Sequence, residues 1–342
     1  MVGQDARLAL IHDWLTRELR LPLTQVAPAS SDASFRRYFR AFCGAATYIV
    51  MDAPPEREDV RPYLKVSALL EPLGVHVPHV HAVEAGRGLL LLEDLGTTLY
   101  LERLRAGADP EPLYAEALGA LLRIQLGGAA AAAELPPYDA HELQREMRLM
   151  PEWFLGRHLG LTLEDAEQRL LERTCAFLVD AALAQPQVLV HRDYHSRNLM
   201  VLPERGPGVI DFQDAVRGAL GYDLVSLLKD CYISWPRARI EHWLAGYGER
   251  LRAHGIARAT PAELLRWVDL CGVQRHIKVL GIFCRLWYRD GKPGYLGDLP
   301  RTLGYVREAC TAYPELAAFG AFLERRVAGA LPAANAAAAQ PA

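Results

Sequence analysis

The sequence of 342 residues lacks several features that would assign it to a particular class of protein. No apolar run approaches the ~20 residues that cross a bilayer, and Asp5, His12 and Asp13 interrupt the apolar residues near the start. Basic and acidic side chains nearly cancel, with 38 against 41, so no field suited to nucleic acid or anionic lipid is expected. We therefore predict a cytoplasmic monomer without a signal peptide and without a nucleic-acid or membrane partner.

Cysteine motifs and a nucleotide-binding glycine motif are also absent. The six cysteines are scattered without a Cys-x-x-Cys pair, which is typical of small buried side chains in a reducing compartment. Gly291-Lys-Pro-Gly294 does not complete a Walker pattern, and we interpret it as a turn. Any nucleotide chemistry must therefore rest on other residues.

One polar segment between apolar runs is the most informative part of the chain. Residues 188–190 and 199–202 are short apolar runs typical of buried strands, and the eight residues between them are mostly polar. A third apolar run, at 209–210, ends directly before Asp211. Asp193, Asn198 and Asp211 are thus predicted to lie at the ends of short strands, where enzymes often place catalytic side chains.

These three side chains suit phosphoryl transfer. Mg²⁺, which nucleotide phosphates need, prefers oxygen ligands such as the Asn198 amide and the Asp211 carboxylate. Asp193 lies five residues before Asn198 and is predicted to accept the proton of an attacking hydroxyl. A hydrogen-bonded turn is the structural alternative, because Asp and Asn favour turns. Zinc at His191 and His195 would need a helix, whereas a loop is expected there.

Residues 191–198, followed by Asp-Phe-Gln-Asp at 211–214, resemble the catalytic motif of protein-kinase-like enzymes. This variant of the motif looks like the aminoglycoside/choline phosphotransferase family. The later pattern Gly-x-x-x-Tyr-Asp-Leu-Val-Ser-Leu-Leu-x-Asp-Cys-Tyr is similar to bacterial anomeric sugar kinases acting on N-acetylmuramate and N-acetylglucosamine. The resemblance implies ATP and Mg²⁺ as cofactors, a small amino-sugar substrate and a role in peptidoglycan recycling. It also implies that Asp223 bonds the backbone of the catalytic loop.

The resemblance implies an α+β fold of two lobes, a small antiparallel-sheet lobe and a larger helical lobe. Residues 1–96 are predicted to form the sheet lobe, and residues 97–327 the lobe with the catalytic loop, metal site and acceptor pocket. The Ala/Pro-rich tail, 328–342, is predicted to be disordered. The hinge is placed at 93–96, where backbone groups of three residues would bond adenine: Glu93, Asp94 and Leu95.

The nucleotide phosphates have fewer candidate ligands than the family pattern provides. The loop before the second predicted strand contains Ser34 and other small residues but no glycine, although backbone N–H groups there can still bind anions. The third predicted strand, 47–52, lacks the lysine expected in the family. A nearby cation must then supply the missing positive charge. The candidates are Arg36, Arg37, Arg40 and Lys65, and we assign this role to Arg36.

Residues that would contact the acceptor are predicted from position alone. Arg197 and His195 lie in the catalytic segment, and Glu146 lies in a helix predicted over 141–155. Arg275 lies in a basic stretch of an apolar helix and is suited to an anionic group such as a lactyl carboxylate. The alternatives are a solvated helix face for Glu146 and a cation extending to the surface for Arg275.

Two alternative functions stay open on the sequence. One is phosphorylation of a different small hydroxyl acceptor, such as an aminoglycoside, choline or homoserine. The other is a nucleotide-binding scaffold without turnover, which the missing strand lysine suggests. The presence of all three of Asp193, Asn198 and Asp211 argues against the scaffold.

Overall fold

The structure is a computed structural model that describes residues 5–31, 35–203 and 206–338. It forms two compact units. One unit contains residues up to Ala120 together with Arg197–Asp214, and the other contains Leu121–Ser196 and the residues from Ala215 onward. The boundaries of these compact units differ from the predicted boundary at residue 96. The division into two functional lobes, 1–96 and 97–327, stays a prediction.

The described residues form nine strands and thirteen α-helices, numbered in chain order. The strands are β1 (Leu23–Ser31), β2 (Arg37–Cys43), β3 (Ala46–Asp52), β4 (Val80–Glu84), β5 (Leu89–Glu93), β6 (Gln187–Val190), β7 (Leu199–Met200), β8 (Gly208–Val209) and β9 (Val216–Ala219). The helices are α1 (Ala6–Asp13), α2 (Arg61–Leu70), α3 (Tyr100–Arg105), α4 (Pro110–Leu126), α5 (Gly128–Ala133), α6 (Ala140–Met147), α7 (Asp165–Leu183), α8 (Gly221–Leu228), α9 (Arg237–Ala253), α10 (Pro261–Tyr288), α11 (Leu299–Ala312), α12 (Ala317–Phe322) and α13 (Leu331–Ala338).

The first unit is built on a five-stranded antiparallel sheet in the order β1-β2-β3-β5-β4. The predicted antiparallel sheet and the strand predicted over 47–52 are confirmed. Aromatic and β-branched residues favour these strands, and alternate residues of β2, from Phe39 to Cys43, are buried. Ile11, Trp14 and Leu15 pack against that face, which is why the opening helix lies on the sheet.

A second, short hairpin completes the first unit. β7 pairs with β8, in the register Leu199 with Val209 and Met200 with Gly208. Bridges from His76 to Gly208 and from Leu99 to Met200 tie this hairpin to the rest of the unit. Asn198 directly precedes β7 and Asp211 follows β8 by two residues, so the hairpin sets the distance between these two side chains.

The second unit is organised around the long helix α10. Thr260 caps α10, since its hydroxyl accepts the Glu263 N–H at 3.2 Å while its own N–H donates to the Glu263 carboxylate at 2.8 Å. The helix packs against α6, α7, α8, α9 and α11. Gly281 permits a close approach of α10 to the segment that follows α6, because a Cβ there would lie 2.3 Å from the backbone of Leu149. Two short strands, β6 and β9, pair antiparallel beside the helices.

Two alanine-rich segments are helical in the residues that the structure describes. These helices are α5 and α13, and disorder of the tail 328–342 stays a prediction. Alanine is the strongest helix former, so low complexity does not prevent a helix where the chain can dock. Leu331 is buried, and Asn335 Oδ1 is hydrogen-bonded to His158 Nε2 at 2.8 Å. These contacts anchor α13.

Within the described part of the chain, no helix is both long enough and apolar enough to span a bilayer.

Candidate active site

β6 leads into the loop that carries Asp193. Pairing with β9 fixes β6, and the Asp223 carboxylate then accepts the backbone N–H of His191 at 2.7 Å and of Arg192 at 3.0 Å. The contact implied between Asp223 and the catalytic loop is confirmed. Asp223 is the third residue of α8, which begins at Gly221. Burial raises the pKa of Asp223 to about 6.

Asp193 is surrounded by positive charge. Its Oδ1 lies 3.6 Å from Nη2 of Arg275, and its side chain is 41% exposed. Burial alone would raise the pKa of Asp193. Lys278, His195 and Arg275 together have a larger effect in the opposite direction and lower this pKa to about 2. The carboxylate is therefore ionised throughout the physiological pH range. It can accept a hydrogen bond from a hydroxyl, although it is a weak base.

Glu146 lies in the interior of the second unit and is bonded to protein groups. Its carboxylate accepts from Tyr138 Oη and Arg192 Nη2, and Lys278 Nζ lies 3.1 Å away. Lys278 and Arg192 outweigh the raising effect of burial and lower the pKa of Glu146. The alternative of a solvated helix face is therefore wrong for Glu146. A direct contact between Glu146 and the acceptor stays a prediction.

Arg275 is buried and does not extend to the surface. Its side chain is 4% exposed, its Nε donates to Ser226 Oγ at 2.6 Å and its Nη1 lies 3.8 Å from Cys231 Sγ. Lys278, one turn later, donates to Tyr222 Oη at 3.2 Å and is also buried. The basic stretch of α10 thus turns inward, toward Asp193 and Glu146.

His195 and Arg197 have different surroundings. The His195 ring packs edge-on against Tyr232 with ring centroids 5.3 Å apart, and burial lowers the pKa of His195 to about 4. His195 is therefore neutral at physiological pH. Arg197 is exposed and belongs to the first unit. The structure thus brings His195 and Arg275 to Asp193 within the second unit.

The candidate metal ligands lie together on the β7–β8 hairpin of the first unit. Asn198 Nδ2 is 3.3 Å from Asp211 Oδ2, and the Ile210 N–H donates to the Asn198 carbonyl at 3.1 Å. Gln213 donates to the other carboxylate oxygen of Asp211 at 2.9 Å. Asp211 has a φ of 63°, a left-handed conformation uncommon for residues other than glycine. Such local strain is often found at functional positions.

This pair of side chains fits a magnesium ion. The Asp211 carboxylate is 31% exposed, and rotating the Asn198 amide would present its oxygen beside it. No group of three or more His, Cys, Asp or Glu residues suited to a metal occurs in the described part of the chain. A pair suffices for Mg²⁺, which usually keeps several waters and binds one or two protein groups together with phosphates.

The four candidate cations for the missing lysine are now distinguishable. Arg37 pairs with Asp52 at 2.6 Å and also with Asp5, while Arg40 forms two hydrogen bonds to Asp94. Lys65 is exposed. Arg36 is 11% exposed, and its Nη2 lies 3.6 Å from Asp211 Oδ1. Among these four, Arg36 is the cation beside a candidate metal ligand.

The predicted hinge residues use their side chains in contacts with protein. The Glu93 carboxylate is bonded to His76 Nε2 at 3.0 Å and accepts the His79 N–H at 3.2 Å. Burial raises the pKa of Asp94, but the hydrogen bonds from Arg40, Thr47 and the Gly96 N–H together outweigh it, and the pKa is lowered. Adenine binding by backbone groups of residues 93–95 stays a prediction. Ser34 lies outside the described residues.

Sequence reasoning missed two buried side chains of the second unit. Tyr138 bonds Glu146, and its ring lies under the Arg192 guanidinium with 5.3 Å between them. Asp230 accepts hydrogen bonds from Ser196 at the end of the catalytic loop. Asp230 had a usable signal, since it is an acid within a largely apolar stretch, whereas Tyr138 had none.

The antiparallel sheet, the helical second unit and the motif at 191–198 define a phosphotransferase with a protein-kinase-like fold. A family model described as "Phosphotransferase enzyme family" matches residues 25–264. The chain belongs to this family, and the predicted family, fold class and enzyme class are confirmed.

Relatives with a known name resemble nearly the whole chain. N-acetylmuramate/N-acetylglucosamine kinases from Pseudomonas putida and Pseudomonas aeruginosa are each 46% identical, over 96% of this chain and 99% of the relative. The kinase of that name from Neisseria meningitidis is 43% identical over 86% of this chain and 88% of its own.

Solved structures support the fold. An ADP-bound aminoglycoside phosphotransferase, APH(2'')-Ib, has a TM-score of 0.58 at 14% identity and covers 88% of this chain and 98% of its own. A choline kinase from Streptococcus pneumoniae has a TM-score of 0.59 at 13% identity, with 88% and 99% covered. At such low identity these likenesses concern the fold alone.

Proposed function

We propose that this protein is an ATP-dependent sugar kinase that phosphorylates the anomeric hydroxyl of N-acetylmuramate and N-acetylglucosamine. The observation that carries the proposal is the 46% identity to kinases of that name over nearly the full length of both chains. A place in peptidoglycan recycling follows from these substrates. The cytosol, where ATP is available, and a monomeric state are included in the proposal as predictions.

Asp193 is the proposed base. Its carboxylate would accept a hydrogen bond from the attacking hydroxyl, orient the oxygen and take the proton as the bond to the γ-phosphorus of ATP forms and the bond from that phosphorus to ADP breaks. A pKa held near 2 by surrounding cations makes Asp193 a weak base. An anomeric hydroxyl is more acidic than an ordinary alcohol, and phosphoryl transfer demands little deprotonation in its loose transition state. The environment of Asp193 therefore suits this acceptor.

Asn198 and Asp211 are the proposed ligands of Mg²⁺, which would neutralise charge on the nucleotide phosphates. Arg36, beside Asp211, would supply the positive charge that the strand lysine supplies elsewhere in the family. Backbone groups at 93–95 would hold the adenine, and the loop containing Ser34 would cover the phosphates.

Two cations near Asp193 suit an anionic group of the acceptor. Arg275 lies beside Asp193, and Lys278 lies beside Glu146. These cations are compatible with the lactyl carboxylate of N-acetylmuramate. His195 and Arg197, in the catalytic segment, are the other proposed acceptor contacts.

A panel of acceptors tests the proposal directly. ADP release would be measured with ATP, Mg²⁺ and each of N-acetylmuramate, N-acetylglucosamine, kanamycin, choline and homoserine. Turnover with the two amino sugars at rates far above those with the other acceptors is the expected result. Turnover with choline or kanamycin alone would mean that the acceptor is that compound and not N-acetylmuramate or N-acetylglucosamine. Nucleotide binding without turnover on any acceptor would favour a nucleotide-binding scaffold without catalytic activity.

A further inference from the structure

The catalytic loop of the second unit is held at both ends by carboxylates. Asp223 accepts the N–H groups of His191 and Arg192 at the start of the loop. Asp230 holds the end, because its Oδ2 accepts the Ser196 N–H at 3.0 Å and the Ser196 hydroxyl at 2.5 Å. Asp193 lies between these two attachments.

Asp230 is itself fixed by its surroundings. Its other oxygen, Oδ1, accepts the Tyr232 N–H at 2.8 Å, and the residue is fully buried. A carboxylate with three donors and no exposure is well satisfied and has one orientation.

Side chains from α10 and α11 hold the backbone around Asp230. The carbonyl of Lys229 bonds His276 Nε2 at 2.9 Å, and the carbonyl of Asp230 accepts from Tyr305 Oη at 3.4 Å. The carbonyl of Cys231 accepts from Arg301 Nη1 at 2.6 Å. The segment 229–231 is thus a rigid support that connects the catalytic loop to the helical core.

We propose that Asp230, acting through Ser196, is a positioning residue for the base Asp193. A half-exposed carboxylate on a loop samples several orientations unless both ends of the loop are fixed. Asp223 fixes one end, and the Ser196–Asp230 bonds fix the other. This inference rests on the proposed role of Asp193 in phosphoryl transfer. Misplacing a reacting group by about 1 Å can cost about 100-fold in rate, so the effect is measurable.

Glu167 offers a matched control, because it is another buried carboxylate of the same unit. It pairs with Arg326 at 2.9 Å, and it accepts the Glu164 N–H at 3.2 Å. These partners lie outside the catalytic loop and outside the segment 229–231. If Asp230 served stability alone, Asp230→Asn and Glu167→Gln should reduce activity only as far as they reduce the folded fraction.

The experiment compares four variants well below their melting temperatures: Asp230→Asn, Ser196→Ala, the double variant and Glu167→Gln. In either orientation of the new amide of Asp230→Asn, its NH₂ group faces the backbone N–H of Ser196 or of Tyr232. The hydrogen bond from that N–H is then lost. We expect kcat with N-acetylglucosamine to fall at least about tenfold in Asp230→Asn and less in Ser196→Ala, with KM for ATP unchanged. The two changes should be less than multiplicative in the double variant, because they break the same contact.

Hydrogen exchange supplies a readout that does not depend on the substrate. Amides 192–197 should exchange faster in Asp230→Asn than in the wild type and should keep their wild-type rate in Glu167→Gln. Wild-type protection of this loop in Asp230→Asn, or a kcat per folded molecule equal to that of Glu167→Gln, would overturn the proposal. A wild-type protein inactive on amino sugars would instead refute the proposed function, and the exchange result would still decide whether Asp230 fixes the loop.

Discussion

Asp193 and Asp211 are both candidate catalytic carboxylates, but the units that carry them hold them in different ways. Asp193 lies in a loop attached at both ends to buried carboxylates and is surrounded by Arg275, Lys278 and His195. Asp211 lies at the end of a two-residue strand, beside the amides of two neighbouring side chains and 3.6 Å from one guanidinium. The first environment is dense in charge, and the second is mostly neutral.

The difference matches what each proposed role requires. A base must have one orientation and remain ionised, and a buried network of cations and hydrogen bonds provides both. A magnesium ligand must exchange its hydrogen bonds for the metal, which is easier when its partners are neutral amides than when they are strong ion pairs. The comparison predicts that substitutions in the two regions affect different measurable quantities: turnover for Asp193 and metal-dependent nucleotide binding for Asp211.

The largest effect is expected for Asp193→Asn. Loss of the base should reduce kcat by about 10²- to 10⁴-fold, because that is the usual contribution of general base catalysis. Affinity for ADP with Mg²⁺, measured by titration calorimetry, should remain within about twofold of the wild type. Activity within tenfold of the wild type would remove Asp193 from the proposed role.

Asp211→Asn should instead weaken the metal-dependent binding of nucleotide. The gain in ADP affinity that Mg²⁺ produces in the wild type should largely disappear, because the charged metal ligand is lost. Calorimetric titrations with ADP, in Mg²⁺ and in EDTA, measure this gain. Gln213→Ala removes only a hydrogen bond to Asp211 and serves as the matched, weaker variant. An undiminished Mg²⁺ effect in Asp211→Asn would contradict the metal site.

Arg36→Met tests whether this arginine replaces the strand lysine. A charge-assisted hydrogen bond is worth ~1.5–3 kcal/mol, so ADP affinity should fall about 10- to 100-fold. AMP affinity should change little if Arg36 faces the outer phosphates. Arg61→Ala removes an exposed guanidinium of the same unit and is the control. Equal losses for ADP and AMP would mean that Arg36 supports the fold of the site rather than the phosphates.

The smallest effect concerns pH. Lys278 lowers the pKa of Asp193, so Lys278→Met should raise that pKa, and more Asp193 becomes protonated and inactive at a given acidic pH. The acidic limb of the kcat profile should therefore move to higher pH by ~1 unit. Profiles between pH 2 and 6, which include the titration of Asp193, measure the shift, with Arg173→Met, an exposed cation of α7, as the control. Superimposable profiles for Lys278→Met and the wild type would contradict the electrostatic account of Asp193.

The catalytic segment was predictable from the sequence because its pattern is local. Apolar runs around 188–190, 199–202 and 209–210 were enough to place Asp193, Asn198 and Asp211 beside short strands, as the structure has them. The environment of Asp193 was not predictable to the same degree. Arg275 and Lys278 lie more than 80 residues later, and burial of their charges depends on how α10 packs.

The side chains that support the loop illustrate the same limit. Glu146 looks like a solvated helix residue until Lys278 and Arg192 are brought to it by packing. Asp230 looks like one acid among many until its bonds to Ser196 are seen. Local motifs thus predicted the candidate catalytic residues, whereas long-range contacts determine the charges and hydrogen bonds around them.

The position of the phosphate in the product tests the central claim most directly. The protein would be incubated with N-acetylmuramate, ATP and Mg²⁺, and the sugar phosphate would then be treated with mild acid and, separately, with alkali. We predict a phosphate that mild acid releases and alkali does not, as expected for a phosphate on the anomeric oxygen. A phosphate stable in acid would place the transfer on an ordinary hydroxyl and would contradict the account of Asp193 as a weak base matched to an acidic one.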